Sequence, residues 1–319
     1  MKKVLIVDGN AILHRAFHAM PEWRNGNGEA TSGVYGFFSM LLKAREDLDP
    51  THLVVAFDMP EPNFRHAMYV GYQANRGKDE QLDRDIWEQV ERLKIALDKL
   101  SVPVFTAAGY EADDVIGTIC EQIERVEGVT GIVLTGDRDL LQLVSDKIKV
   151  FMPVKGLSEA KLLDRDGVKE KMGVWPEQIV DYKGLTGDPS DGYPGVAGIG
   201  PKTAVELLGE RGTLDDVYVK VRDPKLPIRK SVTEKLLQGY EMAKMSQKLA
   251  QIIKDAPVKF VLDEATMPTR ETMAAFFEEV GHPSLRARVL GKEGVEKLPE
   301  ATKNRRADLK LNSGQESLF

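Results

Sequence analysis

Acidic side chains recur where the chain reads as the ends of β-strands. Asp8 follows the apolar run Val4 to Val7, Asp58 follows Leu53 to Phe57, and Asp137 and Asp139 follow Ile132 to Leu134 within Thr135-Gly136-Asp137-Arg138-Asp139. Glu111, Asp113 and Asp114 open a helical pattern after Val102 to Phe105. In an open parallel sheet the carboxyl ends of the strands share one edge, where ligands bind, so these acids are expected to converge on one crevice. Taken singly, each reads equally well as a cap or turn residue, and Asp113 and Asp114 would complement a helix dipole. Four groups on one edge point instead to a site, because like charges at such distances protonate unless multivalent cations neutralise them. Donors that are all oxygen, with no Cys or His, select hard ions such as Mg²⁺ or Mn²⁺ over zinc. Asp188 and Asp191 form a further pair ahead of Pro194-Gly195-Val196-Ala197-Gly198-Ile199-Gly200-Pro201-Lys202-Thr203. The glycines permit a tight hairpin, and the helix opened by Pro201 offers free amides to a phosphate, with Lys202 beside them. Taken alone, that hairpin reads equally as a plain packing element.

The elements that must position these acids follow from the apolar pattern. Short β-branched runs at Val4 to Val7, Leu53 to Phe57, Val102 to Phe105, Ile132 to Leu134 and Ile148 to Phe151 alternate with helical stretches, the pattern of a mostly parallel sheet covered by helices. Leu82, Ile86, Val90, Leu93, Leu97 and Leu100 make one amphipathic stripe, and Val115, Ile116, Ile119 and Ile123 another. Glu61 to Gln81 has no clean period and mixes Pro62 with Phe64, Arg65, His66, Tyr69, Tyr72, Arg76 and Lys78, so it is expected to be a long basic and aromatic excursion from the sheet. From about Trp175 strand signals cease and a mainly helical domain is expected, including one long helix around Val232 to Ile253. Past Gly291 the sequence turns polar and reads as a flexible tail.

Composition bounds the function. With 42% hydrophobic and 29% charged residues in 319, the chain is of globular type and neither fibrous nor wholly disordered. One cysteine, Cys120, allows no internal disulfide and no thiolate cluster, which fits a cytoplasmic setting. No apolar run approaches bilayer length, so no membrane partner is expected. A net charge of −6 argues at first against nucleic acid. Setting aside the nine acids singled out above turns it into +3 for the rest of the chain, so a phosphodiester substrate is compatible with it.

The blocks Ile6-Val7-Asp8-Gly9-Asn10, Ala56-Phe57-Asp58, Phe64-Arg65-His66, Tyr72 to Arg76, Gly109 to Asp114, Thr135 to Asp139 and Gly187 to Thr203 together resemble the 5′-nuclease (flap endonuclease) family, in its bacterial and phage branch. That branch includes the 5′-to-3′ exonuclease domain of DNA polymerase I. The resemblance implies a PIN-like or resolvase-like α/β nuclease domain over 1–174 with a helical arch near 61–87. It further implies a helical DNA-binding domain over 175–290 with a helix-three-turn-helix at 188–208, and a tail over 291–319. Two Mg²⁺ or Mn²⁺ ions would be held, directly or through water, by Asp8, Asp58, Glu111, Asp113, Asp114, Asp137, Asp139, Asp188 and Asp191. Tyr72 would stack on a base near the cut, and Arg76 and Lys78 would meet the phosphate. Arg65, Gly198, Gly200, Lys202 and Thr203 would contact DNA, and the main-chain carbonyls of Val196 and Ile199 would hold K⁺. The implied activity is structure-specific 5′-to-3′ exonuclease or flap cleavage at 5′ flaps, overhangs or nicks, RNA primers included, in replication or repair.

One position departs from the family pattern Tyr-Lys-x-x-Arg, since this chain has Tyr72-Gln73-Ala74-Asn75-Arg76. Either Arg76 and Lys78 supply the missing charge or turnover is reduced, and in the latter case Gln73→Lys is expected to raise cleavage. The same residue motivates an alternative reading, a catalytically weakened junction-binding protein tethered to the sliding clamp. The tail ends Gln315-Glu316-Ser317-Leu318-Phe319, similar to the short peptides by which bacterial replication proteins dock on that clamp, so Gln315, Leu318 and Phe319 are the expected clamp contacts. A haloacid-dehalogenase-like phosphatase would need an acid two residues after Asp8, where Asn10 stands. A PIN-type ribonuclease would lack the whole second domain.

Overall fold

A computed structural model describes residues 1–21, 23, 31–74, 80–155, 159–223 and 228–296. The first half builds β1 (Lys2–Asp8), α1 (Gly9–Ala19), α2 (Ser32–Leu48), β2 (His52–Ala56), α3 (Phe64–Met68), α4 (Glu80–Lys99), β3 (Val104–Phe105), α5 (Ala112–Glu124), β4 (Val129–Leu134), β5 (Ile148–Lys155), β6 (Glu159–Leu163) and α6 (Arg165–Met172). The strands lie in the order β3-β2-β1-β4-β5-β6, parallel except for the antiparallel β5–β6 pair. β1 is central and pairs on both edges. Its side chains divide by period 2: Leu5 and Val7 join the core with Phe37, Leu41, Val90 and Leu93, while Val4 and Ile6 join Val115, Ile116 and Ile119 of α5. The chain runs outward from β1 in both directions, so the carboxyl ends of β1, β2 and β4 surround a topological switch point. All five expected strands are present. β6 was not expected, because a short edge strand reading Glu-Ala-Lys-Leu-Leu carries little apolar signal.

The second half is helical: α7 (Ile179–Thr186), α8 (Pro201–Leu208), α9 (Leu214–Arg222), α10 (Lys230–Gln238), α11 (Tyr240–Ala250), α12 (Arg270–Glu279) and α13 (Pro283–Glu296). The single long helix expected around Val232 to Ile253 is two helices, α10 and α11. They part at Gly239, where a Cβ would stand 2.8 Å from a Val196 methyl, so the hairpin ahead of α8 packs into the break. Close approach also joins α7 to α11: a Cβ on Gly184 would lie 3.2 Å from the Ala243 carbonyl.

The last stretch expected to belong with this domain instead returns to the sheet. Leu53 donates its N–H to the Ala265 carbonyl (2.7 Å) and Met267 to that of Thr51 (3.0 Å). Phe276 and Phe277 of α12 then pack on Phe38 of α2, at 5.8 and 5.2 Å between ring centres. A return of this kind is set by which apolar face is left uncovered, not by any local signal. Among the described residues no helix is long and apolar enough to cross a membrane.

Candidate active site

Local structure fixes each acid at the sheet edge. Asp8 caps α1, one carboxylate oxygen accepting the Ala11 N–H (2.9 Å) and the other the Thr135 hydroxyl (2.7 Å). It is only 3% exposed, and burial pushes its carboxyl up to about 7, with Asp58 and Asp137 adding to the shift and both hydrogen bonds opposing it. Asp58 accepts the Ala112 N–H at the start of α5 (2.7 Å) and donates its own N–H to Asn10 (3.0 Å). Thr135 also accepts the Asp137 N–H (2.9 Å), and Asp137 accepts that of Asp139 (2.8 Å), so the loop after β4 is braced from within. Burial and the neighbouring Asp137 and Asp8 carboxylates drive Asp113 well above its ordinary value. The cap reading and the site reading thus both hold: hydrogen bonds that finish helices also aim the carboxylates.

The acids meet in one cavity of about 1120 Å³, lined by Asp8, Asp58, Glu111, Asp113, Asp137, Asp139 and Asp191. Asp191 comes from the helical half, on the hairpin after α7. Asp139, Asp188 and Asp191 place one oxygen each within 4.8 Å of one another, a spacing that suits a hard cation. Lys183 of α7, 6% exposed, donates to both Asp139 and Asp188 across the seam between the halves. Burial and Asp137 push Asp139 up to about 7 despite that ammonium. Asp188 is less enclosed: burial raises it, but Lys183 and the hydrogen bonds from Ser190 outweigh this and hold it at about 2.

Packing ties three of the expected site residues to partners within the protein. Arg65 borders the cavity, but its donors are taken up by the protein itself. It is 2% exposed, and its five N–H groups go to Glu111, to both oxygens of Asp114, and to the Leu249 and Gln251 carbonyls. Asp114 does not reach the cavity. It is fully buried, bonded to Arg65 and to the Ile253 and Glu111 N–H groups, because one step along α5 from Asp113 turns the side chain about 100° away. Tyr72, expected to stack on a base, borders the cavity but is packed largely within the protein. Its hydroxyl donates to Glu111 (3.0 Å) and its ring lies near-parallel to that of Tyr193 (12°, 6.4 Å), leaving 4% of the residue exposed. Glu111 therefore accepts from Asn63, Arg65, Tyr72 and Gln73 at once, which suits it to hold an ion through water rather than directly. Burial pushes it up to about 7 even so, with Arg65 opposing and Asp58 adding.

The second expected feature is the hairpin between α7 and α8. Gly187 and Gly195 have positive φ (69° and 63°) and pack backbone against backbone, so that a Cβ on Gly195 would sit 2.2 Å from the Gly187 nitrogen. Gly198 also has positive φ (75°), Gly200 caps α8, and Lys202 is exposed at its first turn, followed by Thr203. Val196 and Ile199 bury their side chains, and the Val196 carbonyl accepts the Ile199 N–H (3.0 Å). Lys235 of α10 donates to the Gly198 carbonyl (3.2 Å).

Two family models match consecutive parts of the chain: the 5′-3′ exonuclease N-terminal resolvase-like domain over residues 3–173, and the 5′-3′ exonuclease C-terminal SAM fold over 174–273. The chain belongs to the 5′-3′ exonuclease family. It is 40% identical over 302 residues to DNA polymerase I of Bacillus caldotenax, covering 94% of this chain and 34% of that protein. This 5′-3′ exonuclease family chain thus spans about a third of the length of the curated relatives it matches. Its fold is similar to that of the bacteriophage T5 5′-exonuclease with bound zinc ions (TM-score 0.65, 21% identity, 92% of this chain and 99% of that one). It is also similar to the T5 flap endonuclease in a complex with DNA and metal ions (TM-score 0.63, 21% identity, 92% and 98%).

Within this family member the sequence had signalled neither Lys183, a lone lysine five residues before Asp188, nor the brace role of Thr135. It also missed His14, Arg15 and His18, which line the cavity from α1; their i, i+1 and i+4 spacing on one helix was the available signal. Arg76 and Lys78 of the arch, and Gln315, Leu318 and Phe319 of the tail, lie outside the described residues.

Proposed function

We propose that the chain is a structure-specific 5′-to-3′ exonuclease and flap endonuclease, hydrolysing phosphodiester bonds of DNA near 5′ ends and single-strand/duplex junctions with two Mg²⁺ or Mn²⁺ ions. The observation that carries this reading is the convergence on one cavity of seven of the nine acids singled out in the sequence, six from the sheet half and one from the helical half. The oxygen-only donor set fits such ions, and Asp8, Glu111 and Asp139 have carboxyls raised by burial and by neighbouring acids, in Glu111 and Asp139 despite the Arg65 and Lys183 cations. Divalent ions held there would supply an activated water and neutralise charge developing on the phosphate. The protein's own part is to fix the ligand positions through α1, α5 and the Thr135 brace, and to keep Asp139 and Asp188 in register through Lys183. The hairpin before α8 offers backbone N–H groups and Lys202 to the duplex phosphates. K⁺ on the Val196 and Ile199 carbonyls, and clamp docking by Gln315, Leu318 and Phe319, are further parts of the proposal that rest on sequence alone. So do the cytoplasmic setting and the removal of primers or flaps in replication or repair. The test is cleavage of a labelled 5′-flap duplex with Mg²⁺ and with excess chelator, products sized against a ladder. Short 5′ products that vanish with chelator are expected. Tight junction binding without Mg²⁺-dependent cleavage would favour the junction-binding alternative.

A further inference from the structure

Where the two halves of the cleft meet, Gln73 touches an acid of each. It ends the turn after α3 with φ of 51°, a left-handed conformation uncommon outside glycine. Tertiary contacts hold it there. Its N–H donates to the Asp191 carbonyl (2.8 Å), and the backbones beside it pack so closely that a Cβ on Gly192 would lie 2.5 Å from the Gly71 carbonyl oxygen. The side-chain amide nitrogen then stands 3.0 Å from a Glu111 oxygen and 3.4 Å from an Asp191 oxygen. An amide carries two N–H groups, one for each acceptor.

Lys183 spans the same seam between Asp139 and Asp188, but with a full positive charge that competes with a cation for those carboxylates. Gln73 brings donors without charge, so it adds no cation to compete with an ion beyond the Arg65 guanidinium already on Glu111. We infer that Gln73 is a positioning residue, a neutral latch that holds Glu111 and Asp191 in register across the seam between the two halves of the cleft. This revises the expectation drawn from its residue type: position 73 faces the carboxylates, so its part is to order the site and not to meet the phosphate. The inference rests on the metal-dependent reading of the cleft.

The experiment titrates Mn²⁺ into the whole chain without DNA, reading free Mn²⁺ by electron paramagnetic resonance, for wild type, Gln73→Met and Gln73→Lys. Methionine keeps the length and removes both donors. Loss of a partner behind a ligand typically weakens metal binding 10- to 100-fold. Gln73→Met is therefore expected to raise the half-saturating Mn²⁺ concentration by about tenfold, to lower kcat at limiting Mn²⁺, and to leave KM for a flap duplex unchanged. Gln73→Lys restores donors but adds charge, and is expected to bind Mn²⁺ more weakly than wild type. Wild-type affinity in Gln73→Met overturns the latch, and equal or tighter binding by Gln73→Lys overturns its neutrality. If Gln73→Met fails to fold, the Gln73→Lys titration decides alone. Absence of Mn²⁺ binding by the wild type would instead overturn the metal-dependent reading, and the latch with it.

Discussion

Arg65 shows how much a single side chain can tie together. Its partners lie on α5 and on the strand-like exit from α11, as far as 186 residues away, and every donor it has is used. Removing one member of a buried ion pair leaves the other charged and unsolvated, at a cost of about 3 to 5 kcal/mol. Arg65→Ala is therefore expected to lower stability by that amount in urea unfolding, and Arg65→Met with Asp114→Leu to recover part of the loss. Equal stability of wild type and Arg65→Ala would contradict the assignment. Asp137 has the opposite character, lining the cavity while its backbone braces the loop. Asp137→Ala is expected to reduce cleavage at least about a hundredfold, a loss of the size seen when one stabilising group leaves a transition state. Flap affinity measured in chelator should hardly change, since the hairpin and its basic residues are untouched.

At the level of elements, the hairpin between α7 and α8 works because its backbone can pass where no side chain fits. Gly195 combines positive φ with a would-be Cβ 2.2 Å from the Gly187 nitrogen, and neither backbone can yield. Gly200 has φ of −98° and no heavy atom within 4 Å of a would-be Cβ. Gly195→Ala is expected to cost about 3 kcal/mol or more and to weaken duplex binding, because strain of this kind must displace the hairpin. Gly200→Ala should leave the melting temperature within a degree or two of wild type. Similar behaviour of the two variants, in thermal unfolding and duplex titration, would count against a rigid hairpin.

For the molecule as a whole, the crowded carboxylates link folding to pH and to metal. Burial holds Asp8, Glu111 and Asp139 near 7 in the folded chain, against ordinary values of 3.8 to 4.5. A raised acid favours the folded state while protonated, so its contribution declines as pH rises from about 4 through 7. Asp188, held near 2, works the other way, but only below about pH 4. In chelator the melting temperature is thus expected to fall between pH 5 and 7.5. Added Mn²⁺ should restore it more at pH 7.5 than at pH 5, since ligand binding to the folded state stabilises it and the ligands must be deprotonated. A melting temperature that climbs with pH in chelator would reverse the sign of this linkage.

What the sequence determined by itself is what short-range physics controls. Apolar runs such as Val4 to Val7 mark strands, an acid just past a strand lies at the sheet edge, and the glycines from Gly195 to Gly200 permit a tight hairpin ahead of the helix that Pro201 opens. Asp8, Asp58, Asp113, Asp137 and Asp139 were legible on those grounds, and all face the cavity. Tertiary structure decided whatever depends on partners distant along the chain. Asp113 and Asp114 are neighbours of one type, yet the packing of α5 sends one to the cavity and the other to Arg65. Arg65 and Tyr72 read as ligand-facing because basic and aromatic residues in an aperiodic stretch are usually exposed. Both border the cavity, yet they are almost wholly buried because Glu111, Asp114, Tyr193 and the end of α11 close over them. Lys183 and the return of Ala265 to β2 were invisible for the same reason. A buried charge or an uncovered apolar face is stable only beside its particular complement, and the complement is known only once the chain has folded.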